Sequence, residues 1–436
     1  MVAAVILLIV EVIAIEVNLR LFKSDILSPA TVSSITFFIA TLFALFCINV
    51  WELEIHWMTI CVISLGLLMM TVGEFFGRRV RLHPYSRLHI VKKQDKKTNG
   101  LNRIFVQEIV KYMITFLIVA FTILYGWNAF HVGVSNGGTG LNAFAYMKAA
   151  YIGSGGKARM NVFIRQGYKV VMSGSYISCF ILANNFLVLK EKLKENWEYI
   201  LIILCGFMIT IFSGARTEIL RIVSALIFDF AFLWRLNKNK GKQGNRQSIK
   251  IIIKKAIPLA IIVAIIAFVS RKIVKTSNVA TSATNSIFYY VAYYVGSSIS
   301  VLNTKIKMAF INGGLLFGTN ETIPEFVYLG KLDYGGNVGT ILQTSLIKHG
   351  LIYMIFWILL IYIVGGFFYR NVLNSHKLSR KECLKIILFT SWYYVFTMSY
   401  YSDILSSASF IKTNILTNIV LIALHYGIFK IRIKSI

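Results

Sequence analysis

Long apolar runs recur along this chain, and they constrain its fold more than any other feature. About eleven of them are long enough to cross the roughly 30 Å of hydrocarbon in a bilayer as helices. They lie near residues 1–19, 29–50, 57–77, 106–128, 167–189, 198–213, 217–235, 251–270, 346–369, 384–401 and 409–430. Because 57% of the 436 residues are hydrophobic and only 15% are charged, a soluble domain of this length is excluded. The sequence predicts a single, all-α, polytopic membrane domain over residues 1–436.

Basic residues collect in three connecting segments, about 78–105, 235–255 and 370–385. Lysine and arginine accumulate on the cytoplasmic side of membrane proteins. When eleven spans are threaded in order, all three segments fall on one side, together with the C-terminal tail. The pattern therefore predicts a cytoplasmic C-terminus and an external N-terminus. The formal charge of +28 is then mainly a topology signal with attraction to anionic lipid, and nucleic-acid binding is disfavoured.

Two connections on the predicted external side, about 129–166 and 271–345, are too long to be mere turns. Long loops in compact folds are usually functional. Cations in these loops oppose the positive-inside trend, so they predict an anionic ligand at the outer surface. Arg159, Arg165 and Arg271 are the loop residues predicted to bind it. The alternative is that their side chains extend to lipid headgroups.

Arg216 lies in the turn Ser-Gly-Ala-Arg-Thr-Glu over residues 213–218, between two predicted spans. A guanidinium is permanently charged and forked, which is the geometry that binds phosphate through two hydrogen bonds. Glycine and small residues beside it let backbone and ligand approach closely. The turn predicts a phosphate-binding arginine on the external side.

The stretch over residues 288–299 is rich in tyrosine and is spaced like a short amphipathic helix lying on the membrane. Tyr293 and Tyr294 are predicted to stack on sugar rings and to hydrogen-bond them, because tyrosine has an apolar body with a polar tip. The alternative is an aromatic belt at the membrane interface.

Catalytic signatures that depend on a nucleotide loop, a metal motif or a nucleophile elbow are not found in the sequence. Any catalysis must then use an activated substrate, such as a sugar on a lipid pyrophosphate, whose leaving group arginines stabilise without metal. His349, Asp403 and Asp333 are the candidate catalytic acid–base residues on the external side. His349 at a helix end and Asp403 as a helix cap are the structural alternatives.

Four short motifs occur in an order that resembles the Wzy-type oligosaccharide repeat-unit polymerases. They cover residues 213–218, 293–299 (Tyr-Tyr-Val-Gly-Ser-Ser-Ile), 317–319 (Phe-Gly-Thr) and 336–340 (Gly-Asn-Val-Gly-Thr), in a region of roughly residues 100–370. Asn337, in the last motif, is predicted to bind substrate. One departure is Lys348-His349-Gly350, where such chains often have an acidic residue before an aromatic and a glycine.

The resemblance implies a GT-C-like glycosyltransferase with no cofactor in the cytoplasmic membrane of a bacterium. It would join undecaprenyl-pyrophosphate-linked oligosaccharide units into a surface polysaccharide at the outer face. A chain-length regulator and a flippase for the lipid-linked units are implied as partners.

Two other functions stay open from the sequence. An O-antigen ligase-like transferase would use similar external residues but pass the glycan to a different acceptor. A flippase or secondary transporter would need charges inside the membrane, and Glu74 and Asp229 are candidates for an ion path. Transporters usually contain internal repeats, which this chain lacks.

Overall fold

The computed structural model of this chain is almost entirely helical. It describes residues 2–80, 103–152, 159–188, 193–214, 217–238, 287–318, 323–324, 326–330, 335–336, 339–375, 378–428 and 432–434. The helices in these ranges are α1 (Val2–Leu21), α2 (Pro29–Phe46), α3 (Trp57–Gly77), α4 (Glu108–Ser135), α5 (Ala143–Ile152), α6 (Val162–Val188), α7 (Trp197–Phe212), α8 (Thr217–Lys238), α9 (Ile287–Ile311), α10 (Gln343–Leu373), α11 (Arg380–Thr397) and α12 (Ala408–Ala423).

Four very short strands form two antiparallel pairs. Strand β1 (Arg103–Phe105) pairs with β4 (Arg432–Lys434), and β2 (Val327–Tyr328) pairs with β3 (Gly335–Gly336). Short helical turns at 140–142, 193–196, 404–406 and 424–428 complete the described elements. The helices dominate because a chain in hydrocarbon must satisfy its backbone polar groups within each segment.

Eight of the described helical segments are long and apolar enough to cross a membrane, so the chain is a multi-pass membrane protein of the all-α class. Ten of the eleven predicted spans coincide with described helices, and the eleventh, 251–270, lies outside the described residues. Helices α8 and α11 cover two predicted spans but are not among the eight. Both carry several charged residues, which lowers their hydropathy. Large apolar side chains also point outward, and Phe116 is 76% exposed.

The chain divides into two compact units. Unit 1 comprises Met1–Val91, Asn278–Asn374 and Val395–Ile411, and unit 2 comprises Lys92–Ser277, Ser375–Tyr394 and Lys412–Ile436. Both units therefore contain segments that are far apart in the sequence.

The close packing of α3 against α10 forms the centre of unit 1. Glycines make this approach possible: a Cβ on Gly77 would lie 2.1 Å from the carbonyl oxygen of Ile363, and one on Gly366 would lie 2.7 Å from that of Glu74. Membrane helices often pack through such small residues, since these let the backbones come close.

Glu74, near the end of α3, is the fully buried centre of a polar cluster in unit 1. Its carboxylate accepts hydrogen bonds from the Ser28 hydroxyl at 2.8 Å and from the Ala30 backbone N–H at 2.6 Å. Arg78 forms an ion pair with Glu74 at 2.6 Å and a second with Asp25 at 3.2 Å. This arrangement assigns Glu74 a structural role, because its charge is matched by a fixed cation.

The same cluster links three separate parts of unit 1. The Tyr369 hydroxyl of α10 donates to Asp25 at 2.9 Å, and the Arg78 guanidinium lies over the rings of Phe22 and Tyr369. Asp25 lies in the connection between α1 and α2, so one arginine joins that connection, α3 and α10.

Unit 2 is built around α6, whose residues 171–185 are all buried. It packs against α4, α7 and α8. Asp229 of α8 is also buried, and its Oδ1 accepts a hydrogen bond from the Thr390 hydroxyl at 2.8 Å. Unlike Glu74, Asp229 has no ion pair among those described in the structure.

Loss of the Glu74 carboxylate should destabilise unit 1. Glu74→Ala leaves the partly buried Arg78 with one carboxylate fewer, and breaking a buried ion pair costs about 3–5 kcal/mol. The expected result is a clear drop in the midpoint of denaturant unfolding in detergent. Glu16→Ala is the matched control, because Glu16 pairs with Arg20 on an exposed surface, where such pairs contribute at most about 1 kcal/mol. Equal unfolding midpoints for the two variants would contradict the structural role of Glu74.

Candidate functional site

Asp403 lies in the segment between α11 and α12, on the predicted external side and within unit 1. It begins a single 3-10 turn over Ile404–Ser406, and the Ser406 hydroxyl donates to the Asp403 carbonyl at 2.8 Å. The Ile341 backbone N–H donates to the Ser399 carbonyl at 2.7 Å, which holds the segment against the chain that leads into α10. The backbone around Asp403 is therefore fixed on both sides.

The carboxylate of Asp403 is buried, and neither oxygen receives a hydrogen bond of good geometry in the described part of the chain, although the Thr344 hydroxyl and the backbone N–H groups of Thr344 and Ser406 lie near enough to favour its charged form. Its side chain does not cap the turn that it begins. Burial raises the pKa of Asp403 to about 6, while the Thr344 hydroxyl and the charge of Lys348 oppose that rise. A carboxyl group with a pKa near neutrality suits general acid–base catalysis.

Gln343, at the start of α10, adds a second unsatisfied group to the same unit. Its Oε1 atom is buried and lacks a hydrogen-bond partner among the described residues. It immediately precedes Thr344, which acts on Asp403. Buried polar groups are normally hydrogen-bonded, and exceptions often mark a place where water or a ligand binds. Unit 1 therefore contains a second buried polar atom, on the residue before Thr344, without a described partner.

His349 lies at a break in α10. The next residue, Gly350, has a φ of +86°, and a Cβ there would lie 2.3 Å from the Leu316 carbonyl oxygen, so only glycine fits without strain. The His349 side chain is exposed, and its ring centroid lies 4.5 Å from that of Tyr353. His349 is thus accessible to a substrate, but it is not positioned by a described hydrogen bond.

The tyrosine stretch differs from its predicted form. Tyr293 and Tyr294 lie within α9, a helix of 25 residues, where the sequence predicts a short helix on the membrane surface. This helix packs closely against α2: a Cβ on Gly296 would lie 2.4 Å from the Ala44 backbone nitrogen. Tyr293 packs edge-on against Trp51, with ring centroids 6.4 Å apart. Tertiary packing therefore extends the helix beyond its aromatic segment.

In unit 2, Arg159 and Arg165 are both exposed, Arg159 before α6 and Arg165 in its first turn. Gly214, in the turn that carries Arg216, has a φ of +66°. Its carbonyl accepts a hydrogen bond from Lys148 Nζ at 3.1 Å. Helix α5, in the first of the two segments predicted to be external, thus contacts the beginning of this turn.

Arg221, one turn into α8, is a buried residue that the sequence analysis missed. It forms an ion pair with Glu218 at 2.5 Å and donates a hydrogen bond to Asn414. The Tyr168 hydroxyl donates to Glu218 at 3.2 Å. The spacing of three residues between Glu218 and Arg221 is the signal that could have indicated this pair. Glu218, the last residue of the predicted motif over residues 213–218, therefore takes part in a structural ion pair.

Four of the predicted site residues lie outside the described residues: Arg216, Arg271, Asp333 and Asn337. Among the residues that are described, no group of three His, Cys, Asp or Glu side chains could hold a metal ion.

No protein-family model, no curated protein and no solved structure matches this chain. Functional assignment depends on the chemistry of its own residues.

Asp403→Asn should stabilise the protein at neutral pH. With its pKa raised to about 6, Asp403 favours folding in its protonated form, so stability falls as the pH rises from about 4 to above 6. Because a tenfold change in proton affinity equals about 1.4 kcal/mol, the neutral asparagine should gain roughly 2–3 kcal/mol at pH 7.5. The difference in stability is measured from the melting temperatures of the wild type and Asp403→Asn in detergent between pH 4.5 and pH 8.

The matched control is Glu54→Gln, since Glu54 is exposed in the same unit. It should leave both the melting temperature and its pH dependence unchanged. An Asp403→Asn protein that melts below the wild type at pH 7.5 would show that the carboxylate has stabilising partners.

Proposed function

We propose that this chain is a membrane glycosyltransferase of the GT-C kind that polymerises oligosaccharide repeat units carried on undecaprenyl pyrophosphate, at the outer face of a bacterial cytoplasmic membrane. The observation that carries the proposal is the buried carboxylate of Asp403, which receives no hydrogen bond of good geometry among the described residues and whose pKa burial raises to about 6. Leaving a carboxylate desolvated costs stability, and such a cost is typical of catalytic sites.

The reaction joins a hydroxyl of one lipid-linked unit to the anomeric carbon of another. The new bond is a glycosidic C–O bond, and the bond from the anomeric carbon to the pyrophosphate oxygen breaks. Asp403 accepts the proton of the attacking hydroxyl and releases it to water, while undecaprenyl pyrophosphate leaves with the bonding electrons. Asp333 and the exposed His349 are the other predicted acid–base candidates.

The leaving pyrophosphate carries negative charge that cations must stabilise. We assign this role to Arg216 with Arg165 and Arg159. The exposure of Arg159 and Arg165 supports the assignment, because a ligand can reach both side chains. Arg271, Tyr293, Tyr294 and Asn337 remain predicted contacts of the glycan. An O-antigen ligase-like transferase would use the same chemistry with another acceptor.

Transport of the lipid-linked glycan is the second candidate function. The observation in its favour is Asp229, a buried carboxylate whose Oδ2 has no hydrogen-bond partner among the described residues. A buried carboxylate without a fixed cation can bind and release a proton. The glycan transfer assay below distinguishes the two functions.

Asp403→Asn should abolish polymerisation while the protein still folds. The purified chain in lipid vesicles is incubated with an undecaprenyl-pyrophosphate-linked repeat unit, and the products are resolved as a gel ladder. The loss of a general base should lower the rate by about 10²–10⁴-fold. The wild-type rate should rise with pH through about 6, where Asp403 loses its proton. Glu54→Gln serves as the control for an exposed carboxylate.

An unchanged ladder from Asp403→Asn would exclude Asp403 as the base. If the wild type yields no ladder and instead moves the lipid-linked unit across the vesicle bilayer, the function is transport.

Arg216→Lys should reduce polymerisation strongly, because lysine keeps the charge but loses the forked guanidinium. The expected product is a shorter and weaker ladder at normal protein level. Arg20→Lys, an exposed arginine on the predicted cytoplasmic side, is the matched control. Equal ladders from Arg216→Lys and the wild type would remove Arg216 from the mechanism.

A further inference from the structure

In unit 2, helix α6 contacts both α12, from Lys412 onward, and the short turn 424–428 that follows it. The Ser173 hydroxyl of α6 donates to the Thr417 carbonyl of α12 at 2.8 Å. Lys169, one turn before Ser173, is close enough to Lys412, just over one turn before Thr417, for their charges to interact. The earlier residue of α6 therefore lies near the earlier residue of α12, and the later near the later, which indicates that the two helices are parallel.

A third cation belongs to the same group. Arg165 lies four residues before Lys169, so both project from one face of α6, and the charge of Arg165 also acts on Lys169. Arg165 and Lys412 are exposed, and Lys169 is partly buried. The cationic cluster is defined here as Arg165, Lys169 and Lys412.

The sequence around this cluster contains no acidic residue. The chain has no Asp or Glu between Glu108 and Glu191, and none after Asp403. The described hydrogen bond of the Lys169 ammonium goes to the neutral side chain of Gln166. Neither lysine takes part in an ion pair among those that the structure describes.

The acidic residue of the neighbouring helix is already neutralised. Glu218 of α8 pairs with Arg221 at 2.5 Å and accepts from the Tyr168 hydroxyl at 3.2 Å. Arg221 also binds Asn414, two residues along α12 from Lys412. The Glu218 carboxylate is thus held by its own arginine, and it does not pair with Lys169 or Lys412 in the ion pairs that the structure describes.

Like charges this close repel each other, and they are stabilised when an anion binds between them. Both helices are candidate membrane spans, and the three residues lie in their first two turns, at the level where lipid headgroups occur. Three cations suit a group with more than one negative charge. A phosphatidylglycerol headgroup has one, whereas a diphosphate has two or three.

We propose that Arg165, Lys169 and Lys412 form a binding site for the diphosphate group of a membrane lipid. The proposal rests on the proposed function, in which a lipid diphosphate is the leaving group, and adds Lys169 and Lys412 to the residues that bind it. The lysines contribute compact ammonium charges, and Arg165 contributes a guanidinium that can bind two phosphate oxygens.

The test measures binding of undecaprenyl pyrophosphate to the full chain in phosphatidylcholine nanodiscs. The double variant Lys169→Gln/Lys412→Gln should weaken binding about tenfold or more, and Lys169→Arg/Lys412→Arg should restore most of it. Lys385→Gln, an exposed lysine on the predicted cytoplasmic side, is the matched control and should bind like the wild type. Inorganic pyrophosphate should compete with the lipid, and excess phosphatidylglycerol should compete much less.

Two outcomes would overturn the site: unchanged binding by the double Gln variant, or equal competition by phosphatidylglycerol, which would make it a general headgroup site. The ladder assay separates this result from the proposed function. If the wild type forms a ladder but the double Gln variant binds the lipid normally, the diphosphate site is rejected and the proposed function is kept. Lysine-dependent binding without a ladder would reject polymerisation and keep the diphosphate site.

Discussion

A charged side chain buried inside a bilayer is costly unless the protein supplies a partner, and the cluster around Glu74 shows how unit 1 supplies one. Arg78 pairs with both Glu74 and Asp25, and Tyr369 donates to Asp25. Because these residues come from the first connection, α3 and α10, the ion pairs fix which segments pack together. The close contact of Gly77 and Gly366 with their neighbouring helices then follows from the same alignment.

Asp403 shows the opposite treatment of a carboxylate in the same unit. Its backbone is held by a 3-10 turn, yet no described hydrogen bond of good geometry reaches its side-chain oxygens. Glu74, in contrast, accepts hydrogen bonds from Ser28 and Ala30 and pairs with Arg78. The contrast between a satisfied and an unsatisfied buried carboxylate is the physical basis for assigning stability to one and chemistry to the other.

Unit 2 makes a similar division among its cations. Arg221 is buried and paired with Glu218, so it holds α8 against α12 through Asn414. Arg165, Lys169 and Lys412 remain near one another in segments that contain no acidic residue. One arginine is used for packing, and the remaining cations supply the charge that the diphosphate proposal requires.

The sequence by itself determined the fold class and most helices. Apolar runs of membrane length gave α3 its bounds of 57–77, because hydrocarbon thickness and the helical rise together set the length of a span. The sequence also identified Asp403 and His349 as candidate acid–base residues on the predicted external side. Tertiary structure alone decided that α9 is a 25-residue helix, that Arg221 is paired and that the Asp403 carboxylate is unsatisfied. These properties depend on contacts between residues far apart in the chain, such as Arg221 and Asn414, which are 193 positions apart, and local hydropathy carries no information about them.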